Sequence, residues 1–213
     1  MDKKYWNEYY KNHGKDLGLV SPSSFAEFCN KRFLKNKKRI LELGSGNGRD
    51  AFYFLTNSHK VIALDQSHIG LEVDYKLEKF ELIRSDIILK SCDFVNQDFT
   101  EFGNIDVFYS RFTLHAINYD DEKILIPKIY NHMEKGGLFL IEVRTVNDPL
   151  YGKGKNVGVN AYITDHYRRF IDSNKFIRNA LSIGFHLKYF NEQSGLSVYK
   201  DDDPVLMRLV LEK

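Results

Sequence analysis

Residues 39–66 read RILELGSGNGRDAFYFLTNSHKVIALDQ, and the order of elements in this stretch decides the fold class. Ile40-Leu41-Glu42-Leu43 suits a short buried strand, and residues 60–65, ending Val61-Ile62-Ala63-Leu64-Asp65, suit a second. Between them lie a glycine cluster, Gly44-Ser45-Gly46-Asn47-Gly48, and a helical run over 50–57. Strand, glycine turn, helix, strand is the opening of a parallel sheet whose crossovers are helices. Closely spaced glycines let the chain turn sharply and approach a ligand where a side chain would collide. The amides at the start of the following helix then point at whatever lies above the turn.

The spacing separates two kinds of ligand. A dinucleotide turn reads G-x-G-x-x-G, but Arg49 stands where its third glycine would be. The pattern here is Glu42-x-Gly44-x-Gly46-x-Gly48. The carboxylate of Glu42 would repel a pyrophosphate and welcome a sulfonium ligand that carries an ammonium group. On these residues the chain resembles the class I S-adenosylmethionine-dependent methyltransferases, whose first motif is E/D-x-G-x-G-x-G. A second feature of that family is an acidic residue closing the next strand, where it binds the ribose hydroxyls of the cofactor. Asp65 falls at that place.

The resemblance implies an α/β fold: a seven-stranded, mostly parallel sheet with a reversed last strand and helices on both faces. It also implies S-adenosyl-L-methionine as cofactor, leaving as S-adenosyl-L-homocysteine. By the same likeness Glu42, Gly44, Ser45, Gly46, Gly48, Asp65 and Gln66 are candidate cofactor residues. Asp98 and Phe99 join them as an acidic and apolar pair for the adenine, and Ser110 as a residue at the end of the fourth strand. Trp6 and Tyr10, with Tyr9 on one amphipathic segment, are candidates for a lid over the cofactor or for packing on the sheet edge. Methyltransferases acting on exocyclic amines of DNA bases carry D/N-P-P-Y/F after the fourth strand. Tyr109-Ser110-Arg111-Phe112 stands there instead and argues against that substrate class.

Outward from the glycine turn, residues 1–38 read as a helical lid region, with a helix start marked by Ser21-Pro22-Ser23-Ser24. Residues 68–91 are ambiguous. Strands are expected at 92–97, 105–110 and 138–143, with an amphipathic helix over 119–134 ended by Gly136-Gly137. Residues 145–163 read as a long functional loop, helix is expected to resume over 165–181, and 186–190 and 205–211 read as two final strands. The expectation is one domain over 1–213, with 145–170 as a substrate-side insertion.

Composition sets the limits. The 213 residues carry 31 basic and 29 acidic side chains, a net charge of +2, too small a basic excess to advertise a nucleic-acid binder. The run Lys31 to Arg39 is either a solvated helix end or the patch an RNA methyltransferase would use. A non-catalytic cofactor-binding partner of another enzyme stays open as well. Cys29 and Cys92 have no metal or redox spacing and read as reduced thiols of a cytoplasmic protein. No apolar stretch follows the first lysines, and no run approaches the ~20 residues of a membrane helix. The seven His form no metal-binding motif, so no metal is expected.

Methyl transfer needs positioning and, for some acceptors, removal of a proton. His115, just past the fourth strand, is the candidate general base; packing beside the cofactor is the alternative. Arg111, Arg144, Tyr162, His166, Tyr167 and Arg168 crowd the substrate side. Guanidinium forks suit phosphate or carboxylate, which points to a small anionic acceptor, phosphate-containing or nucleotide-linked; a solvated basic loop is the alternative. The likeness extends to small bacterial enzymes of surface-polysaccharide or specialised-metabolite pathways, including capsular phosphoramidate. The oligomeric state is left open.

Overall fold

The computed structural model describes residues 21–67 and 84–213, together with Tyr5, Asn7 and Glu8. Trp6, Tyr10 and most of the ambiguous 68–91 segment lie outside the described residues. Helix α1 (Ser24–Phe33) begins where the serine cluster marks it, because the Ser23 hydroxyl accepts from the Ala26 amide at 3.0 Å. Then follow β1 (Arg39–Leu43), α2 (Arg49–Thr56), β2 (Lys60–Asp65), β3 (Ile87–Ser91), β4 (Ile105–Arg111), α3 (Tyr119–His132) and β5 (Met133–Arg144). An insertion of three short strands comes next: β6 (Lys155–Gly158), β7 (Ala161–Ile163) and β8 (Tyr167–Arg169). The chain closes with α4 (Ser173–Ile183), β9 (His186–Gln193) and β10 (Leu206–Glu212).

The main sheet has seven strands in the order β3-β2-β1-β4-β5-β10-β9. All neighbours from β3 to β5 pair in parallel, and β10 runs antiparallel to both β5 and β9. This is the expected sheet with its reversed last strand. Alternate side chains feed two cores, as the two-residue period of a strand requires. Ile40, Val61 and Ala63 pack with Phe25 and Cys29 of α1 and with Phe54 of α2. Leu41, Leu43, Ile62 and Leu64 pack on the other face, in the core that holds Leu125 and Ile129 of α3 and Phe176 of α4. The parallel strands therefore end at one edge, and the connections leaving that edge carry the candidate site.

Three expectations need correction. The third strand is Ile87–Ser91, not 92–97; Asp93 instead turns the chain by accepting from the Val95 amide at 3.0 Å. Residues 145–163 are not a plain loop, nor does helix resume at 165. β6, β7 and β8 form a small antiparallel sheet, and α4 starts later because Asp172 caps it through the Lys175 amide at 2.9 Å. The glycine pair does not end α3. That helix ends at His132, and β5 already runs through Gly136 and Gly137.

The insertion leaves and returns at one point, since the Ile171 amide donates to the Arg144 carbonyl and the Val146 amide to the Ile171 carbonyl, each at 3.0 Å. Among the described residues no helix is long and apolar enough to cross a membrane.

Candidate active site

Gly44, Gly46 and Gly48 all take left-handed φ values, +70°, +56° and +73°, so the turn after β1 is one that side-chain-bearing residues disfavour. It is fastened to the end of β2. The amides of Gly44 and Ser45 both donate to the Leu64 carbonyl, at 2.7 and 2.9 Å. Asp65 bridges the two connections, with Oδ2 accepting from the Gly46 amide and Oδ1 from the Ser67 amide, each at 2.7 Å. Burial pushes the Asp65 carboxyl up and these two amides pull it back. Each oxygen keeps lone pairs for further donors.

Glu42 sits beneath this turn, 4% exposed. Burial raises its carboxyl well above the ordinary range, and the nearby charges of Asp50 and Asp65 raise it further. Its Oε2 has no hydrogen-bond partner, and neither do the buried hydroxyls of Ser45 and Ser67. Buried polar atoms are nearly always paired, so these three, on β1 and on the connections after β1 and β2, leave unmet hydrogen-bonding capacity at this edge of the sheet. The acidic residues fit a ligand with a positive charge and hydroxyl donors, as S-adenosylmethionine has. Gln66 lies half-buried just beyond, its carbonyl taking a bond from the Ser91 hydroxyl at 3.3 Å.

Asp50 opens α2 and ties the wall of the site together. It accepts from the Ser23 amide, the Ser23 hydroxyl and the Tyr109 hydroxyl, each at 2.7 Å, all buried. Sequence reasoning passed over this residue, because its partners lie 27 and 59 positions away.

The turn after β4 approaches from the other side. The Ser110 hydroxyl is spent internally on Thr113 Oγ1 at 3.0 Å, and Thr113 Oγ1 donates to the Leu43 carbonyl at 2.8 Å. A Cβ on Gly44 would stand 2.0 Å from Thr113 Cγ2. What Gly44 makes room for in this structure is therefore the β4 turn. His115 follows in the short 3-10 turn Leu114–Ala116, stacked on Phe112 with ring centroids 5.5 Å apart. It is 5% exposed and its Nδ1 has no partner. Burial holds its pKa well below 6.5, and Arg144, Arg168, His166 and Arg169 add to the depression. His115 is a neutral imidazole at physiological pH.

Asp98 and Phe99 lie further along the chain than the residues that directly leave the end of β3. Asp98 is exposed and caps the short turn Phe99–Phe102 through the Thr100 amide at 2.9 Å. Phe99 is core, 2% exposed and 5.3 Å from Phe108. With β3 ending at Ser91, the acidic and apolar pair that directly follows it is Asp93-Phe94. The intervening Cys92 amide donates to the Asp65 carbonyl at 2.9 Å.

The substrate-side arginines converge, but each meets a carboxylate. Arg111 Nε donates to Glu142 at 3.0 Å and Arg144 Nη1 to Asp148 at 2.9 Å, while Arg144 Nη2 also bonds Asp202. Arg168 pairs with Asp165 at 2.5 Å, and Arg169 with Glu122 at 2.6 Å. His166 Nδ1 lies 2.9 Å from Asp165, and its ring stacks on Tyr5 at 4.4 Å. Tyr167 reaches the Ile117 carbonyl at 3.4 Å, and Tyr162 packs edge-on to Tyr151 within the insertion. In the basic run, Lys37 pairs with Asp86 at 3.6 Å and Arg32 lies over the Tyr189 ring at 4.7 Å. Among the described residues no group of three or more His, Cys, Asp or Glu is placed to hold a metal.

A family model described as a methyltransferase domain matches residues 22–194. Phosphoethanolamine N-methyltransferase 1 of wheat, Triticum aestivum, is 28% identical over an alignment of 158 positions that covers 66% of this chain and 30% of that enzyme. The chain thus spans less than a third of the wheat enzyme's length. Among solved structures, the 1,6-didemethyltoxoflavin-N1-methyltransferase of Burkholderia thailandensis, with S-adenosylhomocysteine bound, superposes with a TM-score of 0.75 at 16% identity, covering 99% of this chain and 86% of that one. An S-adenosylmethionine-dependent methyltransferase from Clostridium acetobutylicum gives 0.70 at 14% identity, covering 97% and 98%. The chain belongs to the methyltransferase-domain family, and its sheet is that of the class I methyltransferases.

Proposed function

We propose that the protein binds S-adenosylmethionine at the ends of β1 and β2 and methylates a small acceptor held beside His115 and the insertion. The observation that carries this is the buried acidic cup of Glu42 and Asp65 with the unpaired hydroxyls of Ser45 and Ser67. The bound donor supplies an electrophilic methyl carbon on a positive sulfur. Asp65 receives the ribose hydroxyls, Glu42 offsets positive charge, and Asp93-Phe94 takes the adenine side in place of Asp98-Phe99. Of the two solved structures named above, the Burkholderia enzyme holds S-adenosylhomocysteine, the demethylated form of this donor, and the Clostridium enzyme is named as dependent on the donor.

For the acceptor, His115 holds a proton-bearing group through a ring nitrogen. Its lowered basicity suits an amine better than an alcohol. The neutral form of the amine attacks through its lone pair, and the proton of the methylated ammonium then passes to solvent. An alcohol must lose its proton to a base as it attacks. We further propose that the acceptor carries a phosphate or carboxylate, as some acceptors of surface-polysaccharide pathways do. Arg144, Arg168 and Arg169 all bear on His115, and two of their carboxylate partners, Asp165 and Asp202, are largely in solvent. Those two can give way to a ligand's anion. The wheat relative is named for a phosphate-bearing amine. Phosphoethanolamine and ethanolamine offered side to side test this: methyl transfer to both at equal rates would exclude an anion requirement.

The cofactor reading is tested by calorimetry with S-adenosylmethionine and S-adenosylhomocysteine. Asp65→Ala is expected to weaken both by at least about tenfold, because charge-assisted hydrogen bonds contribute about 1.5–3 kcal/mol each. Wild-type protein that takes up neither ligand would refute the cofactor assignment.

A further inference from the structure

We infer that Arg169 is a positioning residue that sets the place of the His115 imidazole, an inference resting on the acceptor-side role proposed for His115. A side chain with no hydrogen bond of its own takes its position from its backbone. His115 is such a side chain: Nδ1 is unpaired, and the ring is steadied by stacking on Phe112. The turn that carries it is gripped from two sides. In front, Thr113 holds to the β1 carbonyl of Leu43. Behind, Arg169 of β8 donates from Nε to the Ile117 carbonyl at 2.9 Å and from Nη2 to the Leu114 carbonyl at 3.1 Å, bracketing the turn at both ends.

Arg169 is 3% exposed, and Glu122 of α3 fixes its guanidinium through Nη2 at 2.6 Å. A planar fork reaches two carbonyls and a carboxylate together; a single ammonium cannot span them with the same geometry. The residue belongs to the insertion, one position after Arg168 and three after His166. The acceptor-side strands are thereby bolted to the turn bearing His115. The charged and titratable groups that bear on that imidazole include Arg144 from β5 and His166, Arg168 and Arg169 from the insertion, while Glu122 from α3 pairs with Arg169.

The test uses the full chain labelled with 15N in its histidines, with the His115 ring signals assigned by their loss in His115→Gln. Two variants are compared with wild type: Arg169→Lys, and the pair Arg169→Met with Glu122→Gln, which strands no buried charge. Wild type should give one sharp set of neutral-imidazole ring signals near neutral pH. Both variants should displace and broaden those ring signals, the lysine variant less than the pair. S-adenosylhomocysteine affinity should change by less than about threefold, since Glu42 and Asp65 stand on other connections. Wild-type ring signals in either folded variant would overturn the positioning role. Failure of wild type to bind S-adenosylhomocysteine would remove the functional reading, while the ring signals would still decide what Arg169 does.

Discussion

Gly44→Ala is expected to destabilise the fold by between about 2 and 5 kcal/mol. Roughly 1–2 kcal/mol comes from holding an L-residue in left-handed backbone, and roughly 1–3 from overpacking. Both causes are present at this position, with φ at +70° and a new Cβ 2.0 Å from Thr113 Cγ2. Thr113 has little room to retreat, because its hydroxyl is held by the Leu43 carbonyl and by Ser110, both buried. The two causes separate in a double variant. Thr113→Ser keeps the hydroxyl and removes the offending methyl, so Gly44→Ala on that background should cost only the backbone share. Urea denaturation of the four proteins in the cycle reads this directly. A double variant as unstable as the single would mean that the methyl contact is not what requires glycine here.

The position also shows what a sequence can and cannot disclose. The three glycines, Glu42 and Asp65 are local signals, so the turn and its strands were legible in the sequence, and Asp65 as its acidic partner through the family resemblance those residues carry. The reason for Gly44 was not, because Thr113 is brought to it by the pairing of β1 with β4. The arginines fail in the same way. Their number and clustering were visible, but Glu142, Asp148, Asp202 and Glu122 are paired to them by the fold, and periodicity does not encode pairing.

Other misses had a signal that went unused. Asn156-Val157-Gly158-Val159-Asn160 holds turn residues between two short runs, and Asn160 takes a left-handed φ of +53°, which asparagine tolerates in turns. That is a hairpin signature inside what reads as a loop. Ile87-Ile88-Leu89 is an apolar run at the end of the ambiguous segment, and it outweighs Cys92-Asp93-Phe94, where the aspartate favours a turn. Asp93 and Asp98 each precede a phenylalanine, so whether the third strand ends at Ser91 or at Gln97 decides which pair directly leaves the sheet edge.

Glu42→Gln is expected to move stability and cofactor binding in opposite directions. The free protein holds a fully buried carboxyl among the charges of Asp50 and Asp65 with one oxygen unpaired. Its pKa in the folded chain therefore lies above the ordinary glutamate value near 4.5. A raised carboxyl makes the folded state hold its proton while the unfolded state has released it. Stability from this group is full below pH 4.5 and is lost as pH rises through the folded-state value. Glutamine carries no such penalty, so the variant should be more stable than wild type at neutral pH, by roughly 1–3 kcal/mol. A cationic ligand reverses the balance, because it favours the ionised carboxylate. Affinity for S-adenosylmethionine in wild type should rise with pH across the same window in which stability falls. In the glutamine variant it should be roughly ten- to a hundredfold weaker and lose that dependence on pH. Thermal denaturation and calorimetry of both proteins, from about pH 5 to about pH 8, give both slopes. Parallel affinity curves for the two proteins would mean that Glu42 does not sense the ligand's charge, and a variant no more stable than wild type would mean that its carboxyl is not a buried burden.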